Sequence, residues 1–579
     1  MIDLTPVEAP LSPNPFPPSE GEKGESDADF ATPLGVPSGS PFSPSEGGKG
    51  LGDRGDGDFR IALLPLDERP VNTRYPEMLG AIAGVKVELP PVAVRGEHKR
   101  GADVSVVSVW LAESDADAVI ASAEYLLYGN LIQSRISGDS VADVLPRLSV
   151  LEAIARRGRT VYAFGLVSRV SNADVDVEEP DYWKQYGTRF YQLSQLLHKQ
   201  EVHGELDLGD TEQLARLRDT LPEPLVADFL TRRLRNHAIN LALLDLVGRG
   251  RLDLLLLTSD DTSVYGLPTR EKTWLESWMN LLGDAAKSRI MMHPGADEVG
   301  SALLCRLVCA KRGVAPRIYP LYAVPGGEEI VAPYEDRAAR ITVEAQIRAC
   351  GGRVAESPDG ADIILGVLPP SPRRTEWRAN FAASERAERE SFYRAFLETL
   401  GAKQRAGVPV AVGDITYPNG SDPLFIELLF APGCALKAAD LAAYGAWNTA
   451  GNTLGTTVAQ AILSTFADGI PERHAAQSLF LTHRFLEDWA YQAVVRHSTR
   501  DAIQAKTGRR DPAYDSNEEQ SFARATIEAG LSEKLRELQA VGVGVGLVLV
   551  PGSVRLPWRR TFEADFDLRT PSPDPSLNP

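Results

Sequence analysis

Apolar residues in this chain recur in short runs separated by polar loops and amphipathic segments. Runs such as Leu254–Leu257 are continuous rather than alternating, which is typical of parallel strands buried on both faces. Helical periodicity follows most of these runs, for example over Glu298–Lys311, Ala338–Ala349 and Thr453–Phe466. The pattern predicts ten strands, at Arg60–Leu66, Val85–Leu89, Ala118–Ala123, Thr160–Val167, Leu252–Thr258, Ser288–His293, Arg317–Ala323, Asp362–Leu368, Val408–Gly413 and Leu441–Trp447.

Repeated βα units predict an α/β fold, either TIM-barrel-like or built from two linked doubly wound sheets. Ten strands exceed the eight of a barrel, so a barrel would need extra edge strands. A helical and charged insertion interrupts the units at 180–247. We expect it to form a lid or a side layer over the strand ends.

The two ends of the chain differ in composition from its middle. Residues 1–58 are rich in Pro, Gly, Ser and Glu, a composition that buries too little apolar surface to order, and 570–579 are similar. We therefore predict two disordered tails around an α/β catalytic-type body at 59–471. A mostly helical region at 472–569 follows and is predicted to end in a small β element.

Charge and hydropathy limit the classes of partner. The formal net charge is −18, and the tail up to Asp58 contributes much of it with eleven acidic against three basic residues. The sequence contains no basic cluster for a phosphate backbone, so no nucleic-acid partner is expected. It has neither a signal-peptide pattern nor an apolar run of about 18 residues, so no membrane partner is expected either. The cytoplasm is the expected compartment.

Carboxylates gather at two of the predicted strand ends. Asp260 and Asp261 follow the leucine run, and Asp297 and Glu298 follow Ile290–His293. Adjacent acids repel, which raises the pKa of one of them, and a raised pKa suits a general acid. The four acids are therefore the predicted catalytic residues. The alternative is structural, because Asp261, Asp297 and Glu298 also stand where a helix N-terminus favours acids.

The second cluster carries a short family resemblance. The spacing His293-x-Gly295-x-Asp297-Glu298 resembles hexosaminidases of glycoside hydrolase family 20, although Ala296 replaces the usual second glycine. The resemblance implies that Asp297 orients an acetamido group and that Glu298 is the general acid. No cofactor is expected, but a divalent metal held by His293 and the four acids is the alternative.

Polar and aromatic side chains follow several other predicted strands. Trp and Tyr offer stacking surfaces while Asn, Asp and Arg bind hydroxyl or carboxylate groups, a combination that suits a small carbohydrate-like substrate. Internal ion pairs and plain turns explain the same residues equally well. The predicted substrate-binding residues are Asp67, Arg69, Glu124, Arg169, His293, Asp414, Tyr417, Asn419, Trp447 and Asn448.

These motifs also carry a resemblance that spans roughly Arg60 to Leu568. The chain resembles the bacterial family known as domain of unknown function 4127 (DUF4127), for which the resemblance implies no activity. The matching stretches are Leu64–Tyr75, Tyr128–Arg135, Thr258–Lys272, His293–Leu304, Ala332–Arg337, Gly413–Pro423 and Ala446–Gly455.

Together the patterns predict an enzyme that acts on a small saccharide through paired carboxylates, a glycoside hydrolase. Two alternatives stay open. One is a metal-dependent hydrolase or lyase that uses His293 and the same acids, and the other is a sugar-binding protein without catalysis.

Overall fold

The computed structural model describes residues 59–260, 263–370, 383–513 and 515–571. Each of the ten predicted strands is present within about two residues of its expected ends, because a strand buried on both faces leaves an unbroken apolar run in the sequence. The strands are β1 (Arg60–Leu64), β2 (Lys86–Glu88), β3 (Ala118–Ser122), β4 (Thr160–Val167), β5 (Leu254–Ser259), β6 (Ile290–Pro294), β7 (Arg317–Tyr322), β8 (Arg353–Val354), β9 (Ile363–Leu368), β10 (Val410–Asp414), β11 (Ala443–Gly445), β12 (Val548–Leu549) and β13 (Leu568–Arg569).

The strands do not close into one barrel. They form a six-stranded parallel sheet in the order β2-β1-β3-β4-β5-β6 and a five-stranded parallel sheet in the order β11-β10-β9-β7-β8. Among the described residues, strand β6 pairs with β5 alone, and β7 starts the second sheet, so the chain continues into a new sheet instead of completing a ring. The alternative of two linked doubly wound sheets therefore describes the molecule, and the barrel does not.

The two sheets share one strand order. Counted from its own first strand, each sheet runs 2-1-3-4-5, and the first adds β6 at its edge. This order reverses direction beside the first strand, between β1 and β3 in one sheet and between β7 and β9 in the other. Ligands of doubly wound folds bind at such a reversal, outside the carboxyl ends of the strands.

Helices cover both sheets. The α-helices are α1 (Arg74–Ala83), α2 (Val104–Glu113), α3 (Ala123–Tyr128), α4 (Leu131–Ile136), α5 (Val141–Val144), α6 (Ser149–Arg156), α7 (Trp183–His203), α8 (Leu208–Thr220), α9 (Glu223–Gly248), α10 (Leu267–Leu281), α11 (Asp284–Lys287), α12 (Val299–Arg312), α13 (Ala339–Ala349), α14 (Ala383–Arg405), α15 (Pro423–Leu429), α16 (Ala450–Ser464), α17 (Pro471–Arg484), α18 (Arg496–Thr507) and α19 (Asn517–Ala540). A π-helical segment, Phe485–Val495, joins α17 to α18. Within the described ranges, no helix combines the length and the apolar character that crossing a membrane requires.

A shared core joins the sheets. Alternate residues of β1 point to opposite faces, with Ile61 and Leu63 in one core and Ala62 and Leu64 in another. The first of these cores also contains Ile363 and other residues of the second sheet, together with residues of α1, α12, α13 and α16. The two sheets are therefore fixed relative to each other by helices packed between them.

The insertion packs as a helical layer against the first sheet. Helix α9 packs on β4 and β5, and the Asn240 side-chain amide donates to the Leu166 carbonyl 3.1 Å away. Helices α7 and α8 pack outside it around an aromatic cluster that includes Trp183, Phe190 and Phe229. The C-terminal region is mostly helical, as predicted, and its small β element pairs only Val548–Leu549 with Leu568–Arg569.

Candidate active site between the two sheets

A cavity of about 260 Å³ opens where the carboxyl ends of both sheets face each other. Segments that follow β1, β3, β4, β5 and β6 of the first sheet and β7, β10 and β11 of the second all reach it. The lining residues are Arg69, Leu131, Arg135, Arg169, Glu178, Ser259, Asp260, Pro294, Gly295, Ala296, Asp297, Tyr334, Glu335, Pro418, Asn419, Asn448, Thr449, Asn452, Arg560 and Phe562. Both points of strand-order reversal contribute, which is where α/β folds bind ligands.

Arg69 ties the first strand end to the loop after β6. Its guanidinium donates to both oxygens of Asp67 at 2.7–3.0 Å and reaches Asp297, with Nη1 3.2 Å from Oδ2. Asn448 Nδ2, from the second sheet, donates to the same Asp297 oxygen at 3.2 Å. Burial raises the pKa of Asp297 and the charges of Asp67 and Asp260 add to this, whereas Arg69 opposes the rise. Asp297 is thus held in place by groups from both sheets.

The loop from Pro294 to Glu298 depends on glycine for its close packing. Gly295 has a φ of +117°, and a Cβ atom there would lie 2.2 Å from the carboxylate of Glu298. On the facing helix α16, Asn452 Oδ1 accepts from the backbone N–H groups of Ala296 and Asp297 at 3.2 and 3.0 Å. Asn452 lies in the first turn of α16, which begins at Ala450, and its side-chain oxygen thereby fixes the loop.

Three arginines converge on Glu178 at the other side of the cavity. Arg135 Nη1 and Arg169 Nη2 each lie 3.0 Å from Glu178 Oε2, and Arg560 Nη1 donates to Oε1. Burial alone would raise the pKa of Glu178, but the three guanidinium groups lower it well below its usual range. Arg135 also donates through Nη2 to Asp260. The Asp260 carboxylate is therefore held beside a strongly cationic wall.

Glu335 brings a carboxyl group with a shifted pKa to the cavity from the second sheet. Its Oε1 accepts from Gly451 N at 2.9 Å, and its Oε2 accepts from Thr342 Oγ1 at 3.2 Å. Burial raises its pKa to about 7, with a further contribution from Asp336, and the two hydrogen bonds only partly oppose the rise. Near neutral pH this group can both give and take a proton, which is the property that a general acid requires.

Strained backbone concentrates around the cavity. Tyr334, Asn419 and Asn448 line it with left-handed φ angles of 66°, 60° and 64°. Such conformations in residues other than glycine cost about 1–3 kcal/mol and cluster at functional sites. The buried Asn419 Oδ1 and the buried Ser259 Oγ, which also lines the cavity, have no hydrogen-bond partner among the described residues. Both oxygens could accept a hydrogen bond from a ligand hydroxyl.

The C-terminal segment completes the wall. Trp558 and Arg559 are also left-handed, at φ 52° and 55°, and turn the chain so that Trp558 lies 4.6 Å from the guanidiniums of both Arg69 and Arg560. The indole N–H of Trp558 donates to Glu68 Oε1 at 2.5 Å. Arg560 lies 4.8 Å from the ring of Phe562, so its guanidinium is held between two aromatic faces.

Comparison with known proteins assigns a family but no activity. The family model described as "Protein of unknown function (DUF4127)" matches residues 61–567. The chain belongs to this family. No curated protein matches the chain. The local similarity to glycoside hydrolase family 20 stays a prediction.

Several of the residues predicted from the sequence meet in the cavity of this DUF4127 protein. Those that line it are Arg69, Arg169, Asp260, Asp297, Asn419 and Asn448. Asp67 lies directly behind Arg69, fully buried, and acts on the cavity through that guanidinium. Asp261 lies outside the described residues.

Other predicted residues lie behind the cavity wall. Glu298 is fully buried, and its Oε1 accepts from Gln346 Nε2 at 2.8 Å; burial raises its pKa to about 8. His293 lies next to it, with Nδ1 2.8 Å from the Pro294 carbonyl oxygen, and burial lowers its pKa to about 4. Glu124 accepts from Ser122 Oγ at 3.1 Å and from Leu166 N at 2.9 Å. These groups support the strand ends from within.

Three predicted residues of the second sheet also lie behind the cavity wall. Asp414 accepts from the backbone N–H groups of Thr416 and Asp422 at 3.1 and 2.6 Å, and so shapes the loop that presents Asn419. Tyr417 is buried away from the lining, and Trp447 is 1% exposed. Trp447 therefore gives the cavity no stacking surface, and Tyr334 and Phe562 line it instead.

Within the described ranges, no three or more His, Cys, Asp or Glu side chains are grouped so that they could hold a metal ion. The predicted metal ligands are divided accordingly: Asp260 and Asp297 line the cavity, and His293 and Glu298 lie behind it.

Four charged lining residues were not among those predicted from the sequence: Arg135, Glu178, Glu335 and Arg560. Arg135 and Glu335 fall in the stretches Tyr128–Arg135 and Ala332–Arg337 that carry the family resemblance, so a signal existed for both. Glu178 and Arg560 have no local pattern. They reach the cavity through a loop after β4 and through the C-terminal segment, and only the three-dimensional packing places them there.

Proposed function

We propose that the cavity is the active site of a glycoside hydrolase that acts on a small saccharide. One observation carries the proposal: Glu335, a carboxyl group with a pKa of about 7, lines the same cavity as the arginine-held carboxylate of Asp260. Glycoside hydrolysis needs one carboxyl group that gives a proton and one carboxylate that attacks or activates water. The cytoplasm, expected from the sequence, is the proposed compartment.

Glu335 is proposed as the general acid. It protonates the glycosidic oxygen as the bond from that oxygen to the anomeric carbon breaks, and the alcohol leaves. Asp260 acts on the anomeric carbon, either directly or through a water from which it takes a proton. Water finally supplies the hydroxyl of the released sugar, so atoms and charge balance.

Asp297 is proposed as a substrate-orienting group rather than as the acid. Its oxygens already accept from Arg69, Asn72 and Asn448, so its position is fixed and its charge is compensated. We assign the role of general acid to Glu335 and not to Glu298, because Glu298 does not line the cavity.

The remaining lining suits a polyhydroxylated ligand. Ser259 Oγ and Asn419 Oδ1 are buried and without a partner in the described part of the protein, and such groups are rare unless a ligand or water satisfies them. Tyr334 and Phe562 add aromatic side chains to the lining, which suits the apolar side of a sugar.

The test is a screen of aryl glycosides, with and without EDTA, on the wild type, E335Q and D260N. D362N, at an exposed ion pair with Arg317, is the matched control. We expect turnover by the wild type and by the control, insensitivity to EDTA, and losses of about 10²-fold or more in both site variants. Sugar binding without turnover, or activity that EDTA removes and a divalent metal restores, would contradict the proposal.

A further inference from the structure

We propose that the arginine wall formed by Arg135, Arg169 and Arg560 binds an anionic group of the substrate, so that the substrate is an acidic sugar of the uronate type. This inference rests on the proposed function, since it names the substrate class of the same cavity. It concerns a different face of the cavity from the one that carries Glu335.

The first support is the number of cations on one carboxylate. Three guanidinium groups contact Glu178, whereas a single arginine is enough for a bidentate pair with a carboxylate. Asp260 is the other acid that lines this side, and it takes a hydrogen bond from Arg135. Three guanidinium groups therefore face two carboxylates among the described residues that line this side of the cavity.

Two further acids of the described residues, Glu563 and Glu179, lie near the wall. Glu563 does not line the cavity, and burial raises its pKa to about 7, although Arg69 and Arg560 oppose the rise. Glu179 lies beside Arg135. Its Oε1 lies 3.8 Å from Arg135 Nη1, and it does not line the cavity. Burial raises its pKa, and the neighbouring charges of Glu178 and Asp260 also favour its neutral form, although Arg135 and Arg169 oppose this. An anion that enters the cavity meets the arginines before it meets Glu179.

The second support is unused hydrogen-bonding capacity. Among the described residues, the Arg560 guanidinium donates one hydrogen bond, from Nη1 to Glu178, although a guanidinium has five N–H groups. The Arg560 Nε is buried and has no hydrogen-bond partner among the described residues. The same is true of the Arg135 Nε, whose side chain is only 3% exposed. Buried donors without partners are costly, so a ligand acceptor at this wall is favoured.

The third support is preorganisation. Trp558 and Phe562 lie 4.6 and 4.8 Å from the Arg560 guanidinium, which fixes its plane against the cavity. A planar fork held in one orientation matches a carboxylate better than it matches a neutral hydroxyl. A cavity of about 260 Å³ admits a single small sugar, and the carboxylate would lie at the arginine end of it.

Binding can be measured apart from catalysis. We would titrate the wild type with glucuronate, galacturonate, mannuronate and iduronate by calorimetry, each beside its neutral sugar, and with glucose 6-phosphate. At least one uronate should bind tenfold or more tightly than its neutral counterpart, and its affinity should fall as salt rises. If every uronate binds no better than its neutral sugar, or if the sugar phosphate binds better than all of them, the uronate assignment is wrong.

Variants then locate the interaction. In R560M and in R169M, the ratio of uronate to neutral-sugar affinity should fall about tenfold, R560K should restore part of it, and R317M at the surface should leave it unchanged. An unchanged ratio in both R560M and R169M, in protein with a native circular dichroism spectrum, would overturn the inference. Arginine-dependent uronate binding without cleavage of any aryl uronide would leave this site intact and refute the hydrolase. Cleavage of neutral aryl glycosides without preference for uronides would support the hydrolase and refute the uronate site.

Discussion

Replacement of Arg69 by methionine tests whether the cavity is built around a buried charge network. Methionine keeps much of the side-chain length and volume but removes the charge and the donors. The guanidinium now gives Asp67 three contacts of 2.7–3.0 Å and also binds Asp297. After the change, the partners of the Asp297 carboxylate among the described residues are amide donors, from Asn72 at 3.3 Å and Asn448 at 3.2 Å.

The loss of stability in R69M follows from the contacts that Arg69 makes with Asp67 and Asp297. Removal of one partner from a buried ion pair costs about 3–5 kcal/mol, because the remaining charge stays buried without compensation. Here one arginine compensates two carboxylates, so we expect the free energy of unfolding of R69M to fall by at least that amount at pH 7. The matched change R317M breaks an exposed pair with Asp362 and should cost about 1 kcal/mol or less.

The loss should depend on pH. Arg69 opposes the rise in the pKa of Asp297, so its removal raises that pKa further. A carboxyl group whose folded pKa is raised destabilises the protein only above its unfolded pKa, and the effect grows as the pH rises to the folded value. The deficit of R69M, measured by urea unfolding, should therefore be smaller at pH 5 than at pH 7. A deficit under 1 kcal/mol, or one that grows on acidification, would refute this description of the network.

Three further predictions address separate parts of the site. In E335Q, the loss of activity should be largest for alkyl glycosides and smallest for 2,4-dinitrophenyl glycosides, because a good leaving group needs no proton; equal losses would exclude Glu335 as the acid. In E298Q, the stability relative to the wild type should increase from pH 5 to pH 8.5 by on the order of 4 kcal/mol, because the pKa of about 8 of the wild-type carboxyl penalises folding progressively above its ordinary value of 4.5. A pH-independent difference in urea unfolding would contradict this. W558F should lose about 1.5–3 kcal/mol, because it removes the indole hydrogen bond to Glu68, and should lose more than W447F, whose Nε1 has no partner in the described residues; equal losses in thermal unfolding would count against the role of that bond.

The strands could be predicted from the sequence because burial on both faces leaves continuous apolar runs. The leucines of β5 and the segment Ile290–His293 are examples, and both ended within a residue or two of their predicted limits. The number of sheets could not be predicted, because the same βα repeat builds a barrel or open sheets. Whether a barrel or open sheets form depends on whether β6 pairs with a further strand, and that pairing has no local sequence signal.

The candidate site could be predicted where charged side chains directly follow the end of a strand. Asp260, Asp297 and Arg69 meet because parallel strands end at one edge of a sheet. Glu298 and Asp414 also follow strand ends, but their side chains are buried in the core. Their spacing in the sequence does not distinguish an acid behind the cavity wall from one that lines the cavity. Arg560 comes from a segment almost 500 residues after β1, so its place depends entirely on tertiary packing.

The proposed roles of Glu335 and Asp260 are tested most directly by the hydrolysis of an aryl uronide by the wild type, E335Q and D260N, each verified as folded. We expect release of the aryl alcohol by the wild type, with the rate lowered about 10²-fold or more in both variants. Equal rates in all three proteins would contradict it, and so would the absence of turnover by the wild type on every aryl uronide and every aryl glycoside tried.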